Sequence, residues 1–567
     1  MPLITRFPRR DLLLFLSIAL VLIGAGIGLR DPWPADEPRF ALMARHMVES
    51  GNWLFPMRGN ELYSDKPPLF MWMQAVSYLL VGNWRIAFLL PALLAALGTL
   101  VLVYDIGRRL WNHRIGLHGA YALLFAIQFA WQFKKAQIDP VVTFFIVLAC
   151  WALLRHFLLG PRRALYGLGW FSAGLGTITK GVGVIALLMC LPALLARALG
   201  WRHLAPPPAR WRWVPIGWPL FLLAVGLWIV PMLLAVDASS DPALRAYADD
   251  ILMRQTAGRY ANSWHHHNPP WYFGGVMLTL WQPLVLALPW AIPAWWRRLK
   301  RRDARYLLPL GWVALVLLFF SIPSGKRDLY ILPALPMFCL ALAPLLPGLL
   351  KKRAVQRLAF GFGTVLGGVL LLAGAWALLG EPKFALRLAQ ARGFGPDFTA
   401  PWWMLLCLGA TMLALLAGFG QRRGVAGLMA ALFALWCALG LWAQPMLNPS
   451  SSASALMQRT AQALGPDTEL GLVGWTEQNL LQADRAATTF GFRRPLVEQR
   501  ADAIAWLRQA PQRRRVMILE EGLRDCIDAD AATPLGAANR RQWWLFGAEA
   551  LAPVCGSTLA EPEAEPE

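Results

Sequence analysis

The chain has 567 residues, 57% of them apolar and 15% charged, with a mean hydropathy of +0.45. A soluble protein carries roughly 25% charged and 45–50% apolar residues, so this one cannot cover itself with polar surface, which excludes a soluble enzyme, a disordered chain and a secreted disulfide scaffold. The net charge of +21 would suggest nucleic acid in a soluble protein; in a membrane protein, excess Lys and Arg mark cytoplasmic loops, and no nucleic-acid partner is expected.

Apolar runs long enough to cross about 30 Å of hydrocarbon at 1.5 Å per residue occur near 11–29, 85–104, 115–131, 139–158, 164–179, 181–199, 214–236, 272–295, 306–322, 329–348, 357–380, 402–419 and 424–443. The expected fold is therefore an all-α polytopic membrane protein of about thirteen spans. The first run has the basic flank of a signal peptide, but its small residues, Gly24, Ala25 and Gly26, lie inside the apolar stretch, so it is read as an uncleaved span. Alternation from an inside N-terminus puts seven loops on the cytoplasmic side. They hold 25 Lys or Arg and only two acids, Asp105 and Asp303. That bias is the positive-inside signature.

The opposite face holds the chemistry. In loop 31–66, Asp36 is a candidate N-cap with Pro38 in the first turn. Phe40, Met43, Ala44 and Met47 then recur at i, i+3, i+4 and i+7, which predicts an amphipathic helix lying on the membrane. It would hold Asp36, Glu37 and Arg39 at the mouth of any cavity; the plainer reading is helix-end charges with no further role. Next comes Asp65-Lys66-Pro67-Pro68, whose prolines hold Lys66 extended. Its ammonium would either snorkel to headgroups or counter a lipid phosphate. The run 67–81 is too short to span and is read as interfacial or re-entrant.

Asp139 opens a span, where the helix dipole favours an acid, and Lys180 lies between two spans on the same face. An ion pair between Lys180 and an acid competes with a functional role. Loop 237–271 carries Arg254, Arg259-Tyr260 and the run His265-His266-His267. His265 could join Asp65 or Glu37 in a divalent-cation site, against the alternative of an exposed polar loop. Lys326, Arg327 and Tyr330 add two cations and a phenol. Five cysteines sit in spans as packing residues; Cys526 and Cys555 lie further on and could pair in an oxidising compartment.

After about residue 445 the composition becomes ordinary. Residues 448–455 read as a Pro/Ser/Ala linker, 470–475 and 516–520 as strands, and 454–464 and 498–509 as helices. The expectation is a membrane domain over 1–445, a small α/β extramembrane domain over 446–559 on the outer face, and a disordered acidic tail over 560–567.

Two carboxylates, several fixed cations and many aromatics on one face of an apolar bundle suit group transfer from a lipid phosphate: cations offset leaving-group charge, and a carboxylate aligns or deprotonates the acceptor. A flippase for lipid-linked sugars would instead carry its polar residues near mid-bilayer, often in repeated halves. A non-catalytic assembly partner is the third alternative.

Asp36-Glu37-x-Arg39-Phe40, Asn60-x-x-Tyr63-x-x-Lys66-Pro67-Pro68-Leu69, Asp139, Arg259-Tyr260 before Pro-Pro-Trp-Tyr, and Lys326-x-x-x-Tyr330-x-Leu-Pro333 together resemble the bacterial aminoarabinose (4-amino-4-deoxy-L-arabinose) lipid A transferases, members of the protein mannosyltransferase-like glycosyltransferases with a C-type fold. The resemblance covers about residues 10–445. It implies an inner-membrane enzyme using an undecaprenyl-phosphate-linked sugar, with lipid A or another glycan or protein as acceptor. It also implies Asp36 as catalytic carboxylate supported by Asp139, and Lys66, Arg259 or Arg254, and Tyr330 on the carrier phosphate. Asp65 stands where the family has Glu, one methylene longer, which weakens a metal role there.

Overall fold

The computed structural model describes residues 8–206, 215–253, 267–380, 382–394, 398–523, 527–539 and 541–551. Arg254, Arg259, His265, Cys526 and Cys555 lie outside the described residues, as does the acidic tail.

The molecule is mostly helical. Among the described residues, seven helices are long and apolar enough to cross a membrane: Trp84–Leu110, Ile138–Leu159, Gly217–Asp237, Ala304–Ser321, Arg353–Leu379, Ala400–Phe419 and Gln421–Ala463. Tyr272–Leu280 and Leu284–Lys300, bent by 96° about Gln282-Pro283, make an eighth if taken as one span. Run 164–179 lies in the continuous helix Arg163–Lys180, while others form shorter or interrupted helices, among them Val182–Ala198 and Ala334–Leu349. The run 115–131 breaks after Leu124, giving His113–Leu124 and Ile127–Phe133.

The first helix, Pro8–Gly24, stops short of residue 29 for two physical reasons. Its last carbonyls turn to a buried lysine: Lys134 Nζ donates to the carbonyls of Leu22 (2.8 Å), Ile23 (3.3 Å) and Ala25 (2.9 Å), an end-capping role normally filled by local residues. Beyond it Gly26 takes φ +98°, and a Cβ there would lie 2.7 Å from the Gly440 carbonyl, so the close approach of the two backbones requires glycine.

Helix Glu37–Ser50 forms where the periodicity puts it, with Phe40, Met43, Ala44 and Met47 all buried. The expectation that this stripe faces lipid is corrected: it packs on Leu69–Val81 and on Glu477–Gln482. Phe40 meets Phe70 edge-to-face at 5.2 Å. Asp36 sits at the N-cap but with helical φ and ψ and no side-chain capping bond, which leaves its carboxylate for other work. After the helix, Met57–Arg58 and Glu61–Leu62 pair as a short antiparallel hairpin.

The C-terminal region carries a five-stranded mixed sheet in which Glu469–Leu472 pairs in parallel with both Ala487–Thr489 and Arg514–Leu519. Arg541–Phe546 continues it antiparallel, and Thr533–Ala538 is the far edge. Alternation divides the central strand between two cores: Met517 and Leu519 join Leu456 and Met457 of helix Ser454–Ala463, whereas Val516 and Ile518 join Ala503, Ile504 and Leu507 of helix Leu496–Gln509. The linker read over 448–455 is instead largely helical, through Gln444–Ser451. It bonds back to loop 31–36, Asn448 accepting from Asp31 N (2.9 Å) and Trp33 Nε1 (3.0 Å) and donating to Asp31 Oδ2 (2.8 Å).

Candidate active site

Three segments distant in sequence meet beside Asp36. Arg30 runs fully buried to Glu37, its Nη1 and Nη2 donating to the two carboxylate oxygens at 2.5 and 2.7 Å. Trp33 N (2.8 Å) and Ala136 N (2.8 Å) also donate to Glu37. Four donors on one buried carboxylate consume its acceptor capacity. Glu37 therefore ties loop 31–36 to segment 134–139, and neither a proton-accepting nor a metal-ligating role suits it.

Its neighbour differs. Among the described residues the Asp36 carboxylate has only long contacts, to Arg39 Nη1 at 3.4 Å and to the Gln137 amide at 3.5 Å, and it remains partly exposed. Two residues beyond Gln137, Asp139 occupies the first turn of Ile138–Leu159, buried, in an ion pair with Lys180 at the end of Arg163–Lys180. The Lys180 ammonium stands 5.3 Å over the Tyr330 ring. Asp36, Arg39, Asp139, Lys180 and Tyr330 are thus linked through direct contacts and the short 137–139 segment. The ion pair anticipated for Lys180 is present.

Arg39 also reaches the C-terminal region. Its Nε donates to Glu477 at 2.8 Å, and Arg58 Nη2 reaches the same carboxylate at 2.5 Å. Glu477 is buried in the first turn of its helix, where the dipole favours an anion. Burial alone would depress the Arg39 guanidinium, but Glu477, Tyr63 and Asp36 outweigh it and hold Arg39 above its ordinary pKa. Burial dominates at Arg58, which is lowered despite Glu477, and at Tyr63, whose phenol is raised. The Arg58 guanidinium lies 3.2 Å over the Phe492 ring, and Phe492 N donates to Glu61 at 2.9 Å. The C-terminal region therefore grips the 57–62 hairpin and the Arg39 side chain together.

The remaining expected residues are placed less directly. Lys66 Nζ donates to the Asp65 carbonyl at 2.9 Å, and Asp65 meets Arg493 at 3.3 Å. Ser64 hydrogen-bonds Asp250. Among the described residues no three His, Cys, Asp or Glu come together to hold a metal ion; His265, the other half of the expected pair with Asp65, lies outside them. Lys326 is buried and donates to the carbonyls of Asn268 (2.9 Å) and Pro323 (2.6 Å), so its ammonium ties down the loop before Tyr330. Arg254, Arg259 and His265 fall outside the described residues. Sequence reasoning missed Glu477 and Arg58; the first lies 438 residues from Arg39, beyond any spacing rule.

Comparison with known proteins fits this arrangement. The family model for dolichyl-phosphate-mannose-protein mannosyltransferases matches residues 65–230. An undecaprenyl phosphate-alpha-4-amino-4-deoxy-L-arabinose arabinosyl transferase of Pseudomonas aeruginosa is 30% identical over 76% of this chain and 76% of its own length. A relative of the same name from an Enterobacter species is 26% identical over 67% and 69%. The crystal structure of ArnT from Cupriavidus metallidurans bound to undecaprenyl phosphate superposes with a TM-score of 0.71 at 18% identity, covering 97% of this chain and 99% of that one. The fold is therefore of the ArnT type over nearly the whole length, and the chain belongs to the family of undecaprenyl phosphate-4-amino-4-deoxy-L-arabinose arabinosyl transferases.

Proposed function

We propose that the protein is an integral membrane glycosyltransferase that moves 4-amino-4-deoxy-L-arabinose, or a closely related sugar, from an undecaprenyl-phosphate donor to lipid A or another cell-surface acceptor. The observation that carries the reading is the under-satisfied Asp36 carboxylate, held by Arg39 and Gln137 beside the Asp139–Lys180–Tyr330 group. A flippase has no need of such a group, and the named relatives are transferases.

In this reading an acceptor oxygen attacks the anomeric carbon of the sugar as the bond from that carbon to the carrier phosphate oxygen breaks. The bonding electrons leave on the phosphate, and fixed cations offset the charge. Lys66, Lys180, Arg259 or Arg254 and the Tyr330 phenol form the phosphate side. Asp36 aligns the acceptor and takes its proton where the attacking group is a hydroxyl. Asp139 positions Lys180, Lys326 positions the Tyr330 loop, and Arg39 orients Asp36. The thirteen apolar runs would be thirteen crossings of the bacterial inner membrane, with the N-terminus cytoplasmic and the site and C-terminal α/β region periplasmic; the 25 Lys and Arg of the opposite loops support that orientation.

The test is mass spectrometry of lipid A and other surface glycans from cells with and without the protein. A mass difference of one aminopentose that depends on Asp36 is the expected result. Identical glycan profiles, or transfer undiminished in Asp36→Asn, would overturn the reading.

A further inference from the structure

Segment 134–139 carries two adjacent lysines whose ammonium groups fare differently. Lys134 is spent on the three carbonyls that end the first helix. The Lys135 backbone N donates to the Gln132 carbonyl at 3.2 Å, but its ammonium makes no hydrogen bond and no ion pair among the described residues; its close partner is the Trp131 ring, 4.1 Å from Nζ. The backbone on both sides of it is fixed. The Lys134 carbonyl accepts from Arg30 Nη2 at 3.3 Å, Ala136 N donates to Glu37, and the Gln137 side chain reaches Asp36.

The following two residues bind Glu37 and Asp36, and the charges of Glu37, Asp328, Arg30 and Asp36 act on Lys135, so its ammonium lies within electrostatic reach of the site. Glu37 is already saturated by Arg30 and two backbone amides. Burial holds the Lys135 ammonium below the ordinary lysine range despite those carboxylates. The neighbouring cations are engaged: Arg30 with Glu37, Arg39 with Glu477, Lys180 with Asp139, and Lys326 with carbonyls. Of these cations Lys135 alone has its donors unspent.

We propose that Lys135 binds a phosphate borne by one of the two lipid substrates, next to Asp36. A half-buried ammonium with three donors and no paired carboxylate is the group that a phosphate oxygen satisfies and that a sugar hydroxyl does not neutralise. The ammonium held 4.1 Å over the Trp131 ring is already placed, so little side-chain freedom is lost on binding. The binding residue deepens the transferase reading given above and rests on it.

The test uses the full-length protein in detergent with two variants, Lys135→Met, which keeps an unbranched side chain and removes the charge, and Lys135→Arg, which keeps it. Turnover is measured against the undecaprenyl-phosphate-linked sugar and against lipid A separately. Equilibrium binding of undecaprenyl phosphate and of lipid A is measured in an Asp36→Asn background, so that a failure of the catalytic assignment to Asp36 leaves the binding result readable. Lys135→Met should raise one KM roughly ten- to a hundredfold, with the matching loss of binding, while Lys135→Arg recovers most of it. A rise in the donor constant assigns the carrier phosphate, and a rise in the acceptor constant assigns the acceptor's. Unchanged constants in Lys135→Met, or an equal loss in Lys135→Arg, would overturn the proposal.

Discussion

The two ends of the helical bundle use carboxylates in opposite ways. At the end bearing the basic loops, Asp105 accepts from Arg108 at 2.7 and 3.0 Å, Arg109 at 2.7 Å and Trp151 at 3.0 Å. Asp303 accepts from Arg305 through its backbone N (3.1 Å), Nε (3.0 Å) and Nη2 (2.8 Å). At the other end, the Asp36 carboxylate has two contacts among the described residues, both at the limit of a hydrogen bond. A carboxylate with its lone pairs filled holds structure together; one left short of donors has capacity for a substrate. Neighbouring residues make the same distinction within one loop, since Glu37 is filled and Asp36 is not.

The sharpest way to break that comparison is to neutralise each acid in turn. Asp36→Asn should lower sugar transfer by about 10²–10⁴-fold, the usual scale for a positioned acid or base, with thermal unfolding in detergent unchanged. An active Asp36→Asn variant would erase the distinction. Glu37→Gln should do the reverse first: it strands the buried Arg30 guanidinium, and breaking one partner of a buried pair costs about 3–5 kcal/mol. Its signature is a fall in unfolding temperature, and loss of transfer should follow loss of fold.

Glu477→Gln probes the tie between the C-terminal region and the site. It removes the negative charge shared by Arg39 and Arg58, and hydrogen bonds to charged groups contribute about 1.5–3 kcal/mol. Limited proteolysis should show faster cutting near the 57–62 hairpin, and transfer should fall by less than in Asp36→Asn. Equal protection of variant and wild type would mean that Glu477 does not hold the hairpin.

What was legible in the sequence follows from the range of the forces involved. The 3.6-residue stripe Phe40, Met43, Ala44, Met47 gave the helix, because periodicity is local. It could not reveal what covers that stripe, and the cover includes Glu477–Gln482 from the far end of the chain. Two strands were legible as short apolar runs. Thr533–Ala538 was not, since Pro534 and Gly536 speak against a strand and are tolerated there because it is an edge. Asp36 and Asp139 could be named from motifs, whereas the spending of Glu37 on Arg30, of Lys326 on carbonyls and of Asp65 on Arg493 depends on distances that no spacing encodes.

The smallest effect belongs to the filled end. Asp303 caps helix Ala304–Ser321, and Asp303→Asn keeps a capping oxygen while losing the ion pair with Arg305. Burial would raise its carboxyl, but hydrogen bonds and charge from Arg305 prevail and hold it below the ordinary carboxylate value. A folded-state pKa below the unfolded one, near 3.9 for Asp, contributes stability that is present above that value and lost as pH falls through the folded pKa. Wild type should therefore exceed Asp303→Asn by about 1 kcal/mol or less at neutral pH, and the two unfolding curves should converge in acid. Transfer should be the same in both at neutral pH. A loss of transfer in Asp303→Asn without a change in stability would place function at the filled end and undo the contrast between the two ends.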